Sequence, residues 1–92
     1  EGCIRASLRC GLDSPQWLEP DDIYEYVMDL GVTANVFLPG HALRLDITSS
    51  NFPLFARNLN SGDETVMQKA YQKIYHDRDH DSRLLIPVLP PL

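Results

Sequence analysis

Leu43-Arg44-Leu45-Asp46-Ile47-Thr48 carries the cleanest period of two in the chain. Leu43, Leu45 and Ile47 share one face and Arg44, Asp46 and Thr48 the other, the pattern of a half-buried strand. Immediately before it, Pro39-Gly40 marks a turn, because proline presets φ and glycine accepts a positive one. After it, Ser49 to Gly62 reads as a long irregular loop, polar except for Phe52, Leu54, Phe55 and Leu59. Pro53 cannot donate to a ladder there, and two phenylalanines in one loop predict that it packs down. Upstream, Ile23 to Leu30 alternates as well, with apolar residues on both faces, so this strand is expected to be covered twice. Ile4 to Cys10 sets Ile4, Ala6, Leu8 and Cys10 opposite Arg5, Ser7 and Arg9, a further half-buried strand. The turn-rich Gly11 to Asp22 connects the two, with Trp17 expected as a lid on the core. Leu84 to Leu89 is β-friendly, and Pro87 restricts it to an edge or a strand end. Short strands separated by turn signals predict an all-β sandwich.

Thr65 to Tyr75 divides the pattern. Met67, Tyr71 and Tyr75 recur at i, i+4, as do Val66, Ala70 and Ile74, which favours a helix. A strand would interleave Lys69 and Lys73 with mediocre alternation.

The 92 residues leave room for one domain, and at 43% apolar and 23% charged they are globular material expected to bury roughly two-thirds of the unfolded surface. The net charge of −5, without a run of Lys or Arg, argues against nucleic acid as a partner. Apolar runs such as Val36-Phe37-Leu38 fall far short of the ~20 residues that span a bilayer, so no membrane partner and no signal peptide is read. The start at Glu1, close to a strand, reads as a piece of something longer. Cys3 and Cys10 lie roughly 23 Å apart along a strand and roughly 10 Å along a helix, against a disulfide limit of about 7 Å between Cα atoms. Free thiols, buried or half-buried, are expected. No Asn-x-Ser/Thr sequon occurs, and nothing demands an oxidising compartment, which slightly favours the cytoplasm.

Reactive chemistry is thin. An α/β-type serine hydrolase needs Gly-x-Ser-x-Gly, and none of Ser7, Ser14, Ser49, Ser50, Ser61 or Ser82 has that surround. A triad of Ser49 or Ser50 with His41 would need geometry that only the fold can supply. His76 and His80, four apart among Asp77, Asp79 and Asp81, raise a metal site. The calcium-loop pattern that begins at Asp77 fails at position six, Ser82, and at position twelve, Val88. A solvated charged turn between two strands is the expectation, with no metal and no cofactor. Trp17, Tyr24, Tyr26, Phe52 and Phe55 suit a core, or alternatively the sugar-stacking platform of a carbohydrate-binding sandwich.

Thr33-Ala34-Asn35-Val36-Phe37-Leu38-Pro39-Gly40-His41, then the alternating strand, Ser49-Ser50-Asn51-Phe52-Pro53 and Arg57-Asn58, form an ordered set of motifs. Together they resemble the C-terminal β-sandwich of the X-prolyl dipeptidyl-peptidase, cocaine esterase and α-amino-acid ester hydrolase family of serine hydrolases. Gly2-Cys3-Ile4-Arg5-Ala6 resembles that domain's first matching strand, and Tyr24-Glu25-Tyr26 with Asp29-Leu30 the next. Tyr75-His76-Asp77 with His80, Ser82 and Leu84 to Pro87 resembles its closing hairpin. Ser7, Leu8, Ala42, Ala56 and Asp81 depart from the family pattern.

The resemblance implies the C-terminal portion of a jelly-roll, galactose-binding-like sandwich over residues 1–92, with Thr65 to His76 largely strand. It implies a catalytic α/β-hydrolase domain as partner, which carries the triad, and it allows a homo-oligomer. No catalytic residue maps here, so the chain alone is expected to be inactive, and it is expected to expose strand edges and apolar faces. The implied roles are structural. Pro39 and Gly40 turn the chain, Asn51, Phe52 and Pro53 pin the following loop, and Arg57 and Asn58 brace loop carbonyls or a carboxylate. His80 belongs to the closing hairpin.

Overall fold

The computed structural model describes residues 1–91. It divides into two compact units, Glu1–Leu43 and Arg44–Leu92. Among the described residues the one regular element is a 3₁₀ helix, Ala6–Leu8. Everything else is turn, bend or irregular chain, and no ladder joins the alternating segments.

In the first unit, the strand expected over Ile4 to Cys10 gives way to that helix. Local donors explain it. The Leu8 amide donates to the Arg5 carbonyl at 2.9 Å, and the Gln16 amide folds back onto the Ser7 carbonyl at 2.7 Å. The Arg9 guanidinium then ties together the carbonyls of Ala6 (2.9 Å) and Gln16 (2.8 Å). Backbone groups engaged within the segment are no longer offered to a neighbouring strand. Arg9 also lies over the Tyr24 ring, 4.4 Å from its centroid, which leaves Tyr24 half-buried. The Glu1 ammonium donates to the Leu30 carbonyl at 3.2 Å. A Cβ at Gly2 would run into the Asp29 carbonyl oxygen, so only glycine allows this approach. Leu38 to His41 forms the turn around Pro39 and Gly40. The His41 amide donates to the Leu38 carbonyl at 3.1 Å, and Gly40 sits at φ 82, the position of a type II turn that favours glycine.

In the second unit, Thr65 to Tyr75 is neither the helix favoured by its periodicity nor a laddered strand. A helix would carry the Gln68 amide to the Glu64 carbonyl. It donates instead to the Leu59 carbonyl at 2.8 Å, while the Asn60 side-chain amide takes the Gln68 carbonyl at 3.1 Å. Both backbone groups of Gln68 are thus spent on closing the loop 59–68. A second loop, 75–82, is closed by the Ser82 hydroxyl, which donates to the Tyr75 carbonyl at 2.6 Å.

No described residue is buried. A folded monomer of 10.4 kDa exposes roughly 5,400 Å² and its unfolded chain roughly 15,000 Å². This chain exposes 9345 Å², so it hides little more than a third of its surface where two-thirds was expected. The face that alternation assigned to a core remains close to half exposed, at 46% for Leu43 and 47% for Leu45 and Ile47. Trp17, expected as a lid, is 67% exposed, and Phe52 and Phe55, expected to pack down, are exposed as well. Cys3 and Cys10 are free and exposed, not buried. These departures share one cause: a half-buried strand needs a partner strand and a facing layer, and without them its apolar side stays in water.

Candidate functional site

The second unit holds a cleft of about 210 Å³ lined by Ser49, Ser50, Arg57, Asn58, Asn60, Met67 and Gln68. Its walls follow from three local devices. The first is the Thr48–Ser50 turn, in which the Thr48 hydroxyl donates to the Ser50 carbonyl and accepts from the Ser50 amide at 3.3 Å. Next, Asn51 to Phe55 folds into a turn in which the Phe55 amide donates to the Asn51 carbonyl at 3.0 Å, across a cis Phe52–Pro53 bond. That turn brings the Phe52 ring under the Arg57 guanidinium, 4.6 Å from carbon to ring centroid. Finally, the Asn58 carboxamide oxygen accepts from the Asn60 amide at 3.0 Å, and Asn60 takes φ 61, which asparagine tolerates better than most residues.

A guanidinium held over an aromatic ring by cation–π attraction can still offer its N–H donors to an acceptor. Among the described residues no carboxylate or carbonyl takes those of Arg57 up; its contact is with the Phe52 ring. No carboxylate and no histidine lines the cleft. Ser49 and Ser50 therefore have no carboxylate or imidazole base among the described walls.

On the rim of the same loop, the Thr65 hydroxyl (2.6 Å) and amide (2.7 Å) both donate to the Asp63 carboxylate. These bonds, the hydroxyl first, hold the Asp63 pKa below the usual carboxylate value. In loop 75–82 the Asp77 carboxylate accepts from the amides of His80 (2.8 Å) and Asp79 (3.0 Å) and faces His80 Nδ1 at 3.0 Å. The His80 amide leads in lowering the Asp77 pKa. His80 also tilts against Tyr75, with centroids 5.4 Å apart. His80 Nδ1 is thus committed to Asp77. Among the described residues no group of three or more His, Cys, Asp or Glu side chains is arranged to hold a metal ion.

Of the residues singled out from sequence, Arg57 and Asn58 line the cleft, and Asn51, Phe52 and Pro53 form the turn beneath Arg57. Pro39 and Gly40 lie in the first unit and His80 in the closing loop. Sequence reasoning missed Asn60, Met67 and Gln68 as walls. The Asn58-x-Asn60 spacing hints at an Asx turn, but only the Leu59–Gln68 closure brings the far side of the loop round.

Residues 1–85 match the family described as the X-Pro dipeptidyl-peptidase C-terminal non-catalytic domain. The chain belongs to that family. It is also similar to the cocaine esterase of Rhodococcus sp. (strain MB1 Bresler), at 34% identity over 95 residues that cover 97% of this chain and 17% of the esterase. The chain therefore spans about a sixth of the length of this curated relative. No solved structure matches it. The family resemblance read from Thr33 to His41 and its neighbours thus identifies a non-catalytic C-terminal domain of the hydrolase group.

Proposed function

We propose that residues 1–92 form the C-terminal portion of a β-sandwich, of jelly-roll, galactose-binding-like type, that braces the catalytic α/β-hydrolase domain of a serine hydrolase. Its work is to stabilise that domain and shape a wall of its substrate cleft. The parent acts on esters or on amide bonds after proline, as the names of the similar proteins suggest. The observation that carries this reading is the exposure of apolar side chains within the second unit, where Leu45 and Ile47 are close to half exposed and Ile86 and Val88 more so. Large apolar side chains left open to water in this way suit a surface that a partner covers. Alternation confines Leu43, Leu45 and Ile47 to one side of their segment, as a sheet layer awaiting its neighbour requires.

Activity assays test the division of labour. The purified 92 residues should turn over neither a p-nitrophenyl ester nor a Gly-Pro anilide, while the full-length hydrolase turns over one of them. Turnover by the isolated chain overturns the proposal.

A further inference from the structure

We propose that the Arg57 cleft is a binding site for a carboxylate group carried on a short stem. The charge of the chain as a whole is −5, yet this cleft is lined by one cation, two hydroxyls, three carboxamides and a methionine, with no acid among them. Elsewhere in the second unit, Arg44 meets Asp46 at 2.8 Å and Arg83 meets Asp81 at 3.2 Å. Arg57 lies over the Phe52 ring and, among the described residues, has no hydrogen-bonded oxygen.

The donors match a planar anion. A guanidinium presents two parallel N–H groups that fit the two oxygens of a carboxylate, and the Phe52 ring beneath the Arg57 guanidinium carbon limits where that group can sit. Ser49 and Ser50 add hydroxyls that can donate to the same oxygens. Among the described residues the Asn58 carboxamide nitrogen has no acceptor, its oxygen being taken by the Asn60 amide. Met67 supplies an adaptable apolar wall for a methyl or methylene stem. Size agrees too. At about 210 Å³ the cleft is below the about 300–1,000 Å³ of pockets for drug-sized molecules, and suits an acid of a few heavy atoms or the end of a chain. This site does not depend on the bracing role: a chain that docks on a hydrolase domain yet ignores small acids fails this proposal alone.

The test is an amide-and-guanidinium NMR titration of the 92-residue chain with acetate, N-acetylglycine and the neutral N-acetylglycinamide. Saturable shifts confined to Ser49, Ser50, Arg57, Asn58, Asn60 and Gln68 are expected with the acids and not with the amide. Equal binding of the two acids assigns the bare carboxylate, and tighter binding of N-acetylglycine assigns a chain terminus. Arg57→Gln should abolish saturation, and Arg57→Lys, which keeps the charge but loses the fork, should weaken it by about tenfold. Ser50→Ala, which leaves Arg57 and the loop closures in place, should weaken it by a smaller factor and guards against misfolding of the arginine variants. Identical shifts with acid and amide overturn the proposal. So does an Arg57→Lys chain that binds acetate as well as the parent, because attraction to bare charge would then account for everything.

Discussion

The loops 59–68 and 75–82 and the alternating segments around Leu43 to Ile47 and Leu84 to Leu89 obey opposite rules in one chain. Each loop is closed by its own residues: Asn60 and Gln68 in one, Asp77, His80 and Ser82 in the other. The alternating segments have strand chemistry and no ladder. A turn is specified within a few residues, because an Asx oxygen finds an amide two or three positions on. A strand is specified only in part, because its hydrogen bonds and its apolar face both need residues from elsewhere.

Supplying the missing neighbour should separate the two classes most sharply. Amides of 43–47 and 84–89 in the isolated chain are expected to exchange with deuterium at close to unstructured rates. Joined to the catalytic domain, their protection should rise by about a hundredfold or more, while loops 59–68 and 75–82 change little. Equal gains in loops and alternating segments would erase the distinction.

Asp77 allows the loop class to be broken from within. Asp77→Ala removes the acceptor of both turn amides and the partner of His80, and exchange at Asp79 and His80 should quicken by about tenfold. Acid should do the same. The Asp77 pKa lies below the ordinary 3.8 in the folded loop, so the closure is complete above that ordinary value and is lost as pH falls through the lowered one. An exchange profile for His80 that stays flat through that range would contradict the assignment.

The smallest effect is expected at Gly40. At φ 82 an alanine costs about 1 kcal/mol, which should quicken exchange of the His41 amide by about fivefold and leave the loops of the second unit untouched. A Gly40→Ala chain with unchanged His41 exchange would show that this turn holds no hydrogen bond in solution.

Legibility in the sequence followed the same divide. Pro39-Gly40 announces its turn because both residues constrain φ by themselves, and the charged run from Asp77 to Asp81 announces a solvated one. Family membership was legible from ordered motifs between Thr33 and Asn58. The 3₁₀ turn over Ala6–Leu8 was not, since the clean alternation from Ile4 to Cys10 hides the reach of Arg9 to two carbonyls. The fate of Thr65 to Tyr75 was also hidden, because its i, i+4 apolar spacing says nothing of Asn60 capturing Gln68 from eight residues away. Arg57 was recognisable as a fork, but its use was not. Whether a guanidinium meets a carbonyl or stacks on Phe52 depends on the turn between them.

The closure of 59–68 at its base has a consequence for how this domain can diverge. With Leu59, Asn60 and Gln68 fastening the stem, residues 62–64 form a tip whose lengthening costs only about 0.6 kcal/mol for each doubling of the loop. Residues added at that tip are therefore expected to leave the Leu59–Gln68 closure in place. A grafted epitope at Gly62 to Glu64 would hang from the molecule like a label from a tied string.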